Sequence, residues 1–177
     1  MKLMICTGLT SLLKVLLLMM TMTTSANAAD TSYTLYFSRH AEKVDAKDDP
    51  ILTQAGHRRA AILATMLQNA GIERIYTTDY QRTRQTAGPA GKLLNLSVET
   101  YVAGEPEKLV DSLLAQQQNA LIIGHSNTVP DLVVKAGGEA PALTEEDFGD
   151  LFQLVISNGK VVTTRLVVPM LPETKKD

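Results

Sequence analysis

Residues Ala120, Leu121, Ile122 and Ile123 are apolar without interruption. A strand apolar at every position has no face to give to water, so it must be covered on both sides, as in a parallel sheet held between two layers of helices. The run stops at Gly124, and His125, Ser126 and Asn127 follow at once. The same design stands near the start of the chain. Tyr33, Leu35 and Phe37 alternate with Thr34 and Tyr36, five good strand formers, and lead straight into Ser38-Arg39-His40-Ala41-Glu42-Lys43. Open α/β sheets bind ligands beyond the C-terminal ends of their strands. Two strands that each deliver a histidine there can bring both to one pocket.

The rest of the chain alternates helix and strand. Thr53 is an N-cap for a helix with apolar positions at Ala60, Leu63, Met66, Leu67 and Ala70 and a stop at Gly71. His57, Arg58 and Arg59 read as its solvated face. Ile72 to Thr77 is a second strand. A helix follows from Arg82 to about Leu94, broken or kinked at Gly88-Pro89. A cation at a helix start runs against the helix dipole, so position alone leaves Arg82 either a surface arginine or a partner to an anion held by the free N–H groups there. Val98 to Val102 is a third strand, and Pro106 opens a helix through Gln117. After the fourth strand, Asn127 or Thr128 caps a helix through Val134. Glu139 to Asp150 is an acidic loop or short helix. Leu151 to Ser157 and Lys160 to Val168 flank Asn158-Gly159, a strong hairpin signal. The expected fold is α/β: a mostly parallel central sheet with helices on both faces and a C-terminal antiparallel hairpin.

The 177-residue chain opens with a targeting pattern: a positive Lys2, an apolar run from Val15 to Met20, and Ala26-Asn27-Ala28 as a cleavage site. Residues 1–28 are therefore expected to be a signal peptide, and 29–177 a single domain with its core at about 33–168. The apolar run is short for a membrane span and Lys14 interrupts the stretch before it, so no stable span is expected after cleavage. The expected location is periplasmic or secreted. The single cysteine, Cys6, falls in the leader, which leaves no disulfide. Lys2 and Lys14 of the 17 basic residues also fall there, against 19 acidic ones in all, so the mature chain is mildly acidic. It lacks the basic balance of a nucleic-acid binder.

Two histidines and arginines at strand ends favour phosphoryl transfer. A neutral imidazole is a nucleophile, and guanidinium groups hold a tetrahedral anion through forked, charge-assisted hydrogen bonds. No closely spaced ligand pair suggests a metal, and the arginines would repel one. Arg39-His40-Ala41-Glu42-Lys43 resembles the Arg-His-Gly signature of the histidine phosphatase (phosphoglycerate mutase-like) superfamily. Thr77-Thr78-Asp79-Tyr80-Gln81-Arg82-Thr83-Arg84-Gln85-Thr86-Ala87 resembles its second motif and Gly124-His125-Ser126-Asn127-Thr128 its third, while Leu52-Thr53 and Gly56 fit the start of its first helix.

The resemblance implies that His40 is the nucleophile, that Arg39 and Arg82 hold the phosphoryl oxygens, and that His125 lines the same pocket and stabilises the transferring group. Arg84 falls at a variable position. Ala41 stands where the family has glycine. Ser126 after the second histidine removes the acid of the phytase-like branch, which leaves a proton donor to the loop after the third strand: Glu105 first, Glu107 second. Both could equally be first-turn carboxylates complementing a helix dipole. The implied activity is a cofactor-independent phosphatase acting on a small phosphate ester or a phosphorylated envelope component, through a covalent phosphohistidine and with no metal. The outer wall of the pocket is expected from Val44 to Pro50 and Glu139 to Asp150, both acidic, which disfavours highly phosphorylated substrates. A phosphate-ligand or phosphoprotein sensor on the same fold is the alternative. The leader makes a direct prediction: protein from an envelope fraction begins at Ala29 or within a residue of it, and N-terminal mass spectrometry that finds Met1 retained would support an anchor instead.

Overall fold

The computed structural model describes residues 32–45 and 48–170; the expected signal peptide lies outside them. Six strands and four helices alternate: β1 (Ser32–Arg39), α1 (Gln54–Leu67), β2 (Arg74–Thr77), α2 (Gln81–Leu94), β3 (Val98–Thr100), α3 (Pro106–Gln116), β4 (Ala120–Gly124), α4 (Val129–Lys135), β5 (Asp150–Ser157) and β6 (Lys160–Val167). The strands form one sheet in the order β3-β2-β4-β1-β5-β6. The first four are mutually parallel, and β5 and β6 add an antiparallel hairpin beside β1. Its turn is Asn158-Gly159, with φ of 51° and 74°. Positive φ at both central residues makes the turn twist with the flanking strands, which is why this dipeptide suits the position.

Strand alternation builds two cores. Leu35, Phe37, Ile122, Phe152 and Leu154 share one face with Leu109 and Leu113 of α3 and Val129, Leu132 and Val133 of α4. Tyr36, Ile75, Leu121, Ile123 and Leu151 share the other with Leu63, Ala64 and Leu67 of α1 and Ala87 and Ala90 of α2. Leu121, Ile122 and Ile123 are fully buried, as an unbroken apolar strand requires. Each such side chain contributes roughly 1.5–3 kcal/mol relative to exposure. Among the described residues, no helix is long and apolar enough to cross a membrane.

The sequence expectation fails in several places. The helix expected to break or kink at Gly88-Pro89 runs unbroken through Pro89. Proline removes one backbone donor there, but Thr83, Thr86, Ala87, Ala90 and Gly91 are buried along the same helix and keep it packed on both sides of the proline. The second and third strands are each shorter than expected, the second beginning at Arg74 and the third ending at Thr100. Arg59 is not solvated: its Nε lies 2.9 Å and its Nη2 2.5 Å from Glu42 Oε1, and its Nη1 donates to Val168 O. His57 is exposed, as expected of that face.

Thr53 caps α1 by accepting from Gly56 N at 3.0 Å, and Thr53 N donates to Glu42 O at 2.9 Å. The helix start is thus pressed against the backbone that follows His40. A Cβ on Gly56 would lie 2.2 Å from Glu42 O, and backbone cannot yield as a side chain would. Gly56→Ala is expected to destabilise the fold by about 2–3 kcal/mol in urea denaturation. Gly88→Ala, where a Cβ meets nothing within 4 Å, is expected to be neutral or to stabilise by up to about 1 kcal/mol.

Candidate active site

Parallel pairing of β1 with β4 sets Arg39 opposite Gly124. The next backbone bond, His40 N to Gly124 O at 2.9 Å, carries the pairing one residue past the strands and delivers His40 and His125 side by side. Their ring centroids are 5.5 Å apart. β2 lies on the other side of β4, with Thr77 opposite Ile123, so the turn after β2 brings Thr78 and then Arg82 to the same end of the sheet. Four of the five expected site residues therefore converge here: Arg39, His40, Arg82 and His125.

Each imidazole has a tautomer that its partners dictate. His40 Nδ1 is 2.8 Å from Ala41 O. A carbonyl only accepts, so Nδ1 carries the proton and the lone pair is on Nε2. His125 Nδ1 is 3.4 Å from Arg82 Nη2, a group that only donates. Its proton is therefore on Nε2, which donates to Thr78 Oγ1 at 2.9 Å. Thr78 Oγ1 passes its own proton to Thr83 Oγ1 at 3.0 Å, and Thr83 donates to the carbonyls of Thr78 and Tyr80. The chain of hydroxyls fixes the His125 ring, and the ring in turn fixes Arg82.

A cavity of about 410 Å³ opens over this cluster, lined by His40, Lys43, Tyr80, Arg82, Ser126 and Glu145 among others. Arg82 stacks on Tyr80 at 4.5 Å, and its Nε and Nη1 are buried without a hydrogen-bond partner. Nη1 is 3.7 Å from an Asp49 carboxylate oxygen, and the same oxygen accepts from Gln81 N at the start of α2. An anion beside Arg82 at this helix end is thus supplied by the protein's own Asp49. Arg39 is differently placed: wholly buried, it donates from Nη1 to Thr144 O at 2.6 Å and from Nη2 to Glu145 Oε2 at 3.0 Å, with Phe148 4.2 Å below its plane.

Glu105 does not join the cluster. It is exposed at the start of α3, pairs with Lys108 at 3.2 Å, and lines a neighbouring depression with Tyr76 and Tyr101. Glu107 pairs with Lys135 at 3.1 Å. The carboxylate that does face the cavity is Glu145, held by Ser126 Oγ at 2.9 Å as well as by Arg39. Its sequence signal was only the acid-rich character of 139–150; nothing local distinguished it from Glu146 or Asp147. Lys43, inside the quoted motif, and Tyr80 are the other cavity residues that sequence reasoning passed over. Among the described residues no group of three or more His, Cys, Asp or Glu side chains could hold a metal ion.

The model of the histidine phosphatase superfamily (branch 1) matches residues 35–103, which include the Arg39-His40 and Arg82 motifs. Over this stretch the chain is similar to the histidine phosphatase superfamily. No curated protein matches it by sequence. Among solved structures, the protein histidine phosphatase SixA complexed with tungstate is similar, at 22% identity and a TM-score of 0.63 over 76% of this chain and 97% of that one. A mycobacterial glucosyl-3-phosphoglycerate phosphatase is similar at 15% identity and a TM-score of 0.58 over 77% and 98%. At such identities the likeness to these two is one of fold.

Burial, the cations Arg39 and Arg82, and for each ring the other histidine or its surroundings set the protonation of the pair. For His40, burial dominates, and Arg39, His125 and Arg82 add to it; together they outweigh the Ala41 carbonyl and push the pKa down to about 4. For His125, burial and then Arg82 and Arg39 outweigh Glu145, again to about 4. Both rings are neutral at neutral pH, the state a nitrogen nucleophile needs. The unfolded chain, with histidines near 6.5, takes up protons first as the pH falls. Stability present above about pH 6.5 should therefore decline as the pH drops from about 6.5 to about 4, by roughly 2–3 kcal/mol per histidine. His125→Asn should flatten that decline in chemical denaturation curves recorded across the window.

Proposed function

We propose that this chain is an exported phosphatase that transfers a phosphoryl group to Nε2 of His40 and then to water. The observation that carries the reading is the fixed polarity of His40: Nδ1 is committed to Ala41 O, which leaves the lone pair on Nε2, in a pocket shared with Arg82, whose buried Nε and Nη1 make no hydrogen bond and whose Nη1 is 3.7 Å from Asp49. In the first step the Nε2 lone pair attacks phosphorus and the bond to the leaving group breaks. In the second, water attacks phosphorus, the P–N bond breaks, and His40 and inorganic phosphate are regenerated. Arg82 neutralises the equatorial oxygens, His125 holds Arg82 in place and forms the wall beside it, and Arg39 and Lys43 add positive potential.

The position of the acids favours a substrate that needs little help in departing. Glu105, the expected donor, would have to leave Lys108 and cross from another depression. Glu145 is near, but Ser126 and then Arg39 and Lys43 hold its carboxyl below the usual range against the opposing effect of burial, which makes it a poor acid at neutral pH. Phosphohistidine and other activated phosphates fit such a site, and the fold shared with a protein histidine phosphatase supports that class. The envelope location rests on the leader pattern. A sensor without turnover is the second reading, favoured by the same lack of a placed donor.

An aryl phosphate separates the two, because its leaving group departs without protonation. Turnover is expected, with acid-labile, base-stable label on His40 after an alkaline quench, and His40→Ala should lower kcat by at least about a thousandfold. Near-normal activity in that variant would overturn the nucleophile. A dedicated acid contributes about 10²–10⁴-fold on alkyl esters. Glu105→Gln is expected to lose less than about twofold, equally on alkyl and aryl esters; a large loss confined to alkyl esters would reinstate Glu105 as donor.

A further inference from the structure

The two arginines of the site are alike in sequence role and unlike in state. Arg82 lines the cavity, and its Nε and Nη1 have no hydrogen-bond partner, with Asp49 3.7 Å from Nη1; of the Arg39 nitrogens only Nε is left without one. Arg39 has given Nη1 to a backbone carbonyl and Nη2 to a carboxylate, and it does not line the cavity at all. The groups that do line it on that side are Ser126 and Glu145, which are joined to each other at 2.9 Å. A carboxylate hydrogen-bonded to a guanidinium on one oxygen and a hydroxyl on the other has the shape and charge of part of a bound oxyanion.

We propose that Glu145 is a specificity-determining residue: its carboxylate fills the anion position beside Arg39, and a phosphoryl group gains that guanidinium only by displacing it. This rests on the phosphatase reading of the same pocket. The displacement is local. The Glu145 side chain is 71% exposed, so a change of rotamer carries the carboxylate to water without uncovering apolar surface. The loop keeps separate holds on Arg39, through the Thr144 carbonyl and the Phe148 ring, and Asp147 accepts from Thr144 N at 2.6 Å. Arg39 is buried but the Glu145 end of the pair is in water, so solvent competes for the carboxylate. A phosphoryl group, with three oxygens and up to two charges, therefore wins the position, whereas a ligand carboxylate has no advantage over the resident one. Once displaced, Glu145 remains at the mouth of the cavity as a negative charge. It opposes substrates that carry further anionic groups and pairs with those that carry a cation near phosphorus.

Calorimetric titration of inorganic phosphate at constant pH and ionic strength, on the wild-type protein and on Glu145→Gln, Glu145→Ala and Arg82→Ala, tests this. Glu145→Gln keeps hydrogen-bonding capacity toward Arg39 and Ser126 but removes the charge, and Glu145→Ala empties the position. Phosphate is expected to bind about tenfold more tightly to at least one of them than to the wild type, the equivalent of about 1.4 kcal/mol. Unchanged or weaker binding in both variants overturns the proposal and shows that Glu145 supports Arg39 rather than competing for it. Loss of binding in Arg82→Ala, alongside unchanged Glu145 variants, would leave the phosphate pocket standing and remove only the role of Glu145. Failure of the wild type and both Glu145 variants to bind phosphate at all would remove both readings.

Discussion

Parallel pairing between β1 and β4 is the constraint on which the rest depends. The two strands separate residues more than eighty positions apart in the chain, yet their register sets Arg39 against Gly124 and closes with the bond from His40 N to Gly124 O. A shift by one residue would turn every side chain of a strand to the opposite face, exchanging the two cores. Leu35 and Phe37 belong to one core and Tyr36 to the other, as do Ile122 against Leu121 and Ile123, so burial on both faces forbids the slip. The positions of the histidines are thus set by apolar residues that never touch the chemistry. Gly124 itself has no room for a side chain: a Cβ would lie 2.8 Å from Thr128 Oγ1 and 2.9 Å from the Tyr101 hydroxyl.

Electrostatics then sets the state of the histidine pair. Burial and two guanidinium groups keep both imidazoles uncharged, which preserves a lone pair on His40 while the surroundings stay positive. The same cations would repel one another without counter-charges, and the chain supplies these from loops. Asp49 sits near Arg82 and Glu145 bonds Arg39. One counter-charge stands at 3.7 Å and the other at 3.0 Å, and that difference is what makes the arginines inequivalent.

Local chemistry was legible in the sequence because parallel strands announce themselves. An apolar run that ends abruptly in polar residues marks both the strand and its C-terminal end, and Arg39, His40, Arg82 and His125, which the fold brings together, could be named from that pattern and its resemblance to known motifs. The order β3-β2-β4-β1 could not, since inserting β4 between β1 and β2 is a long-range choice with no local mark. Pro89 misled for a related reason: a local rule was overridden by the buried small face of α2. Arg59 read as solvated because its partners, Glu42 and Val168, come from other elements. Glu145 was visible only as part of an acidic loop, because its contacts with Arg39 and Ser126 depend on where the loop lies and not on its neighbours in sequence.

Those long-range partners show why the hairpin belongs to the site although it contributes no residue to the cavity. Val168, just past β6, accepts from Arg59, and Arg59 grips Glu42, two residues after His40. Val168 N donates to Gly149 O at 2.8 Å, which anchors the end of the loop that carries Thr144, Glu145 and Phe148. At the same end of that strand pair, the half-exposed Arg165 binds the buried Asp150 through Nε at 2.7 Å and Nη2 at 2.8 Å, and Ser38 Oγ donates to Asp150 O at 2.9 Å. The buried carboxylate needs that guanidinium, since an unpaired charge in such a place is costly. The antiparallel hairpin therefore clamps both sides of Arg39: the strand before it through Ser38 and Asp150, and the loop over it through Gly149 and Val168. An edge added to a parallel sheet could be dispensable as architecture. Here it holds the second arginine of the site in a dry, stacked position, within reach of the cavity only through Glu145.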